Sequence, residues 1–188
     1  MDMTAKKILQ RESPILRKIA EAVKIEDITS PRIKKILVEM KESLESQEDG
    51  VAIAAPQIGY ALRIFVVSKK VANLKRKNED VSTTTDQNND LVFINPVVKK
   101  VSKEKKTVEE GCLSVRYLYG KVSRSHKATV EAYNESGKKF TRGGTGLLAQ
   151  IFQHEIDHLN GILFIDKAKN VEEILPEEAD PEKKHERS

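Results

Sequence analysis

Apolar residues recur at helical spacing in two well-separated stretches. Ile33, Ile36, Leu37, Met40 and Leu44 repeat every three or four residues behind Pro31, a residue suited to a first helical turn. They predict an amphipathic helix ending near Asp49-Gly50. In the second stretch Leu147, Ile151, His154 and His158 share one helical face, and Leu148, Phe152, Glu155 and Leu159 share the next. Gly161 supplies the stop for that helix. Residues 62–68 and 91–98 read as strands, with Pro96 marking an edge position or a bulge in the second. Residues 127–133 and 138–141 flank Asn134-Glu135-Ser136-Gly137, a hairpin signal. Between the first two strands, residues 69–90 are polar enough to predict a long surface loop. Strands ahead of one late helix predict an α+β fold, with mixed or antiparallel sheets packed around that helix. No internal repeat is visible.

Composition narrows the class. At 188 residues the chain fits one domain, taken here as residues 1–170. Residues 171–188 carry seven acids, three bases and two prolines, and predict a flexible charged tail. Charged residues make up 33% of the chain and no long apolar run interrupts them, so no membrane span is expected. Residues 1–4 lack the apolar stretch of a signal peptide, and a cytoplasmic location is expected. The net charge of +4 makes the body basic once the acidic tail is set aside. With no ordered basic stripe or stacking aromatics, that charge reads as solvated surface, not nucleic-acid readout.

The chemistry lies in His154-Glu155-Ile156-Asp157-His158. Residues four apart on a helix stack on one face, so His154 and His158 can bind one metal ion together. Glu155 sits beside them, placed to move a proton without being a ligand. Catalytic metal sites usually use three protein ligands and keep a position open. The single cysteine, Cys112, is the natural third donor. It lies in a strand-like segment, Glu109-Glu110-Gly111-Cys112-Leu113-Ser114-Val115. An inert buried thiol is the commoner fate of a lone cysteine, and spacing alone does not choose between the two. His126, beside a strand, and His185, isolated in the tail, are read as non-ligands.

Three separated segments together resemble peptide deformylases: Gly50-Val51-Ala52-Ile53-Ala54-Ala55-Pro56-Gln57, Glu110-Gly111-Cys112-Leu113-Ser114, and Gln153-His154-Glu155-Ile156-Asp157-His158. They occur in the family's order, and the resemblance covers residues 4–168. It implies a metal-dependent hydrolase that removes the formyl group from N-terminal formylmethionine of nascent peptides. It also implies a monomer, with the ribosome as a candidate neighbour. Carried over by position, the metal ligands are Cys112, His154 and His158, and Glu155 is the general acid/base. Gln57 and the backbone N–H of Leu113 hold the developing oxyanion. Gly50, Val51, Ala52, Gly111, Leu147 and Ile151 line the substrate site, and Arg124 pairs with Glu110 behind the ligands. Iron(II) is the expected cellular metal, with zinc, nickel and cobalt compatible with the same donors. A thiolate donor makes the metal a milder Lewis acid than in a two-His, one-Glu peptidase, which suits an unhindered formamide.

The chain departs from the family pattern at three positions. Ala52 replaces a second glycine, Arg116-Tyr117 replaces Pro-Gly, and Gln150 stands where an apolar residue is common. These changes bear on rate and preference more than on reaction class. Two other readings fit the residues alone: a zinc peptidase of the H-E-x-x-H type, and a non-catalytic metal-binding module.

Overall fold

The computed structural model describes residues 5–72 and 89–176. Helix α1 (Pro31–Glu45) begins at Ser30, whose side chain accepts from the Ile33 N–H, and buries Ile33, Ile36, Leu37, Met40 and Leu44 as the periodicity predicts. It stops at Glu45, earlier than expected, and a turn carries the chain to Gly50. The strands of one antiparallel sheet are β1 (Ala52–Ala54), β2 (Ile64–Val67), β3 (Leu91–Val101), β6 (Lys127–Tyr133) and β7 (Lys139–Thr145). They lie in the order β1-β2-β3-β6-β7, so β1 is an edge among the described residues. The strands β4 (Lys105–Gly111), β5 (Leu118–Ser125) and β8 (Lys169–Glu173) form a second sheet, ordered β4-β5-β8.

Local chemistry accounts for much of this. The pairing of β3 with β6 is irregular between Ile94 and Val97, so Pro96 marks a bulge inside the sheet. The β6–β7 hairpin turns on Asn134, whose side-chain oxygen accepts from the Ser136 and Lys138 N–H groups, followed by Gly137 at φ +78°. Of the expected 69–90 loop, residues 69–72 form the short helix α2 (Lys69–Ala72), and residues 73–88 lie outside the described part. Residues 171–173, expected in the tail, instead form the end of β8, hydrogen-bonded along β5.

Helix α3 (Leu147–Leu159) packs between the two sheets, against β1, β6 and β7 on one side and β5 on the other. Leu148, Phe152, Glu155 and Leu159 are buried. Phe152 meets Phe93 edge-on at 5.2 Å, and Phe93 stacks on Phe65 at 4.5 Å. The second face turns toward a cleft: Leu147 is 43% exposed, Ile151 is buried and His158 is buried. Gly161 takes φ +72° immediately after the helix, where a Cβ would come within 2.6 Å of the Arg17 carbonyl oxygen. No helix among the described residues is long and apolar enough to cross a membrane.

Candidate functional site

Three elements meet at the cleft. α3 contributes His154, Glu155 and His158, the turn after β4 contributes Cys112 to Ser114, and the segment after β1 contributes Gln57. Strand β4 ends at Gly111, so Cys112 stands just beyond the strand. Its carbonyl accepts from the Val115 N–H in a tight turn that points the thiol back toward α3. Gly111 is required there: a Cβ would meet the Tyr119 ring at 2.7 Å.

Ligand atoms of Cys112, His154 and His158 all lie within 4.8 Å of one another. Cys112 Sγ is 3.2 Å from His158 Nε2. A tetrahedral ion with bonds of about 2.0–2.3 Å holds its donors roughly 3–4 Å apart, so the grouping fits one. Two further observations agree. His154 Nδ1 lies 3.1 Å from Glu110 Oε2, and a carboxylate only accepts, so Nδ1 carries the proton and Nε2 is left to bind. Among the described residues, Glu155 Oε2 and His158 Nδ1 are buried polar atoms without a hydrogen-bond partner. One thiolate and two imidazoles suit iron, zinc, nickel or cobalt.

A buried ionic network stands behind the ligands. Arg124 donates from Nε and Nη2 to both oxygens of Glu110, at 2.7 and 2.9 Å, and from Nη1 to Asp157 at 2.6 Å. Lys167 adds two bonds to Asp157, at 2.7 and 2.8 Å. Burial alone would raise Glu110, but bonds from Arg124 and His154 outweigh it and hold its carboxyl down at about 2. Glu155 has no such partners. Burial pushes it up to about 7, with His154 and Arg124 opposing and the Glu110 charge adding to the rise. Two carboxylates on one site are thus driven apart, one fixed as an anion and one able to take and release a proton near neutrality. A cation on the neighbouring ligands favours the ionised form of Glu155.

The Gln57 amide is oriented without ambiguity. Its Oε1 accepts from the Ala54 N–H at 2.8 Å, so Nε2 must face the other way. It donates to Ser114 Oγ at 3.0 Å and lies 3.6 Å from Cys112 Sγ. Ser114, fully buried, escaped the sequence reading, because a serine after Cys-Leu carries no signal of its own.

The cleft has a volume of about 330 Å³ and is lined by Val51, Ala52, Gly111, Leu147 and Ile151, with Tyr117 and Tyr119 also on its wall. Gly50 does not line it. It is buried beneath α1, where a Cβ would meet Leu44 at 2.9 Å. Gln150 lines the cleft and donates to the Glu109 carbonyl at 2.9 Å, which ties up part of its polarity. Arg116 spans to Asp49 through two bonds, at 2.6 and 3.1 Å, and reaches Gln47 at 2.9 Å. His126 lies between β5 and β6, outside the metal-capable group, and His185 lies outside the described residues.

A Cys/His/His group beside a buried, proton-ready carboxylate, on a helix between two antiparallel sheets, is the construction of a metal-dependent hydrolase. Residues 5–173 match the family model for polypeptide deformylase. The chain is 40% identical over 164 residues to peptide deformylase 2 of Clostridium acetobutylicum, covering 87% of this chain and 95% of that protein. It is 41% identical over 169 residues to peptide deformylase of Carboxydothermus hydrogenoformans, covering 90% and 97%. Among solved structures, a peptide deformylase from Legionella pneumophila superposes with a TM-score of 0.74 at 36% identity, covering 88% and 87%. A class I type b peptide deformylase from Acinetobacter baumannii bound to Met-Ala-Ser gives 0.73 at 30%, covering 87% and 98%. The chain belongs to the polypeptide deformylase family.

Proposed function

We propose that the protein hydrolyses the formyl amide of N-terminal formylmethionine on nascent peptides, with Cys112, His154 and His158 as metal ligands and Glu155 as general acid/base. The observation that carries this reading is the buried Glu155 carboxyl, one oxygen of which has no partner among the described residues, beside three donor atoms that lie within 4.8 Å of one another. The family membership, and the Met-Ala-Ser bound to the Acinetobacter protein, support the same substrate class.

A divalent ion held by Cys112, His154 and His158 would supply Lewis acidity to the formyl carbonyl and to a water molecule. Glu155 takes the proton as water oxygen attacks the formyl carbon, and later delivers it to the leaving amine. The Gln57 amide donates one hydrogen to Ser114 and the other toward Cys112 Sγ, and it is this second hydrogen that would be offered to the developing oxyanion beside the Leu113 N–H. Glu110 and Arg124 hold His154 in the binding tautomer. Substrate backbone lies along the edge of β1 near Val51 and Ala52 and along Gly111, as an added strand. The methionine side chain rests against Val51, Leu147 and Ile151, all on the cleft wall. The residues assigned to the chemistry all come from one chain, which supports a monomer as the working unit. Its substrate arises at the ribosome, which supports a cytoplasmic location.

The test compares catalytic efficiency on formyl-Met-Ala-Ser, acetyl-Met-Ala-Ser and formyl-Ala-Ala-Ser. One methyl group in an apolar pocket discriminates by only about 1–3 kcal/mol, so rejection of acetyl must come from steric exclusion next to the metal. The formyl peptide is expected to be strongly preferred. Equal rates on formyl and acetyl peptides would exclude the assignment, whereas equal rates on Met and Ala peptides would remove only the pocket.

Iron(II) is the metal we assign in the cell, on the family resemblance, since a thiolate with two imidazoles accepts iron, zinc, nickel and cobalt alike. Protein purified anaerobically with iron should turn over faster than aerobically prepared zinc protein, and should lose activity in air through oxidation of iron or thiolate. Equal turnover of the two preparations would argue for zinc.

A further inference from the structure

The amino-terminal segment touches both proposed oxyanion donors. Leu9 donates its N–H to the Gln57 carbonyl at 2.8 Å. One residue on, the half-buried Gln10 side chain donates from Nε2 to the Leu113 carbonyl at 3.0 Å. Its Oε1 accepts from the Arg116 N–H at 3.3 Å. A single amide therefore closes the ends of the Leu113–Arg116 turn, bridging 103 residues of sequence. On its other side the turn is fastened through the Arg116 guanidinium, by Asp49 and Gln47.

We infer that Gln10 is a positioning residue for the reaction, aiming the Leu113 N–H by holding the turn that carries it. This rests on the deformylase reading above. Fixing the Leu113 carbonyl restricts rotation about the Leu113 backbone, so the N–H of that residue keeps its direction. An oxyanion donor contributes only when it is aligned before charge develops, since reorienting it during the reaction costs part of its benefit. Arg116 occupies a position where a proline would stiffen the same turn through its ring. Here side-chain tethers do that work instead, and Gln10 is the one that grips the backbone at both ends. Among the described residues, the side-chain hydrogen bonds of Gln10 go to Ile8, Leu113 and Arg116, and not to the metal-capable group or Glu155.

The experiment is steady-state kinetics of metal-loaded Gln10→Ala and Gln10→Glu on formyl-Met-Ala-Ser, alongside affinity for the product Met-Ala-Ser and thermal unfolding. Glutamate keeps the acceptor for Arg116 but sets an oxygen against the Leu113 carbonyl, so both variants lose the grip. Losing an oxyanion donor outright costs about a hundred- to a thousandfold, and misaligning one is expected to lower kcat by about tenfold. KM should move by less than about twofold, with product affinity near wild type, because the oxyanion bond is realised in the transition state, while Tm falls only modestly with the two lost Gln10 bonds. A wild-type kcat in both variants would overturn the inference while leaving deformylation standing. So would a fall in kcat matched by equal losses in product affinity and Tm, which would make Gln10 a brace of the fold alone. Absence of formate release from the wild type would overturn both.

Discussion

Glu155→Gln protein is expected to keep its metal and lose formate release by about a hundred- to ten-thousandfold, the usual worth of a positioned general acid/base. Glutamine matches the shape of glutamate but has no oxygen that takes a proton at neutral pH. The carboxylate is buried, is pushed up to about 7, and has one oxygen without a partner among the described residues. Among the described residues that oxygen holds no hydrogen bond, so folding and metal content should survive. Metal analysis and formate assay on one preparation separate the two effects. Turnover near wild type would remove Glu155 from the chemistry, and loss of metal would make it a ligand or a ligand's support. The same substitution also separates this reading from a structural metal site, in which formate release would be absent from wild type and variant alike.

Arg124→Met is expected to cost about 3–5 kcal/mol of folding stability, the range for leaving buried charges without their partner. Its guanidinium satisfies both oxygens of Glu110 and one of Asp157 within a buried cluster. Methionine fills similar volume but leaves Glu110 with only His154, and Asp157 with Lys167. The sign with pH follows. The folded-state pKa of Glu110 is depressed to about 2, so its contribution is present above the ordinary carboxylate value of 4.5 and is lost as pH falls toward 2. The stability gap between wild type and variant should therefore be widest near neutrality and narrow through that acid range. Chemical denaturation at several pH values measures it, and a gap that is small or independent of pH would show that the network is dispensable.

What was legible in the sequence depended on how local the signal was. α1 and α3 were readable because their buried positions are apolar or follow helical spacing, and the β6–β7 hairpin because Asn134 and Gly137 carry turn chemistry of their own. β4 and β5 were not. Their buried positions include Glu110, Gly120 and Arg124 beside Val122, so no alternation of apolar residues marks them. Pairing along the ladder and the Arg124 network hold them instead. The proposed ligand set was legible as a helical pair plus a cysteine, and the family resemblance joined Cys112 to His158 across 46 residues of sequence. Ser114 and Gln10 were invisible, because a serine hydroxyl or a glutamine amide acquires its role only from what the fold brings opposite it.

β8, the last strand among the described residues, carries the working part of the molecule past residue 170. β8 pairs with β5, and just past it the Ile174 N–H donates to the Tyr117 carbonyl, at a residue on the cleft wall. Ala168 and Val171 close over Gly120, filling the space a side chain would take. A chain shortened before Lys169 would bare one border of the three-stranded sheet and free the backbone that carries Tyr117 and Tyr119. Residues that read in sequence as the beginning of a solvated terminus thus serve as a buttress for the rim over which a peptide must pass.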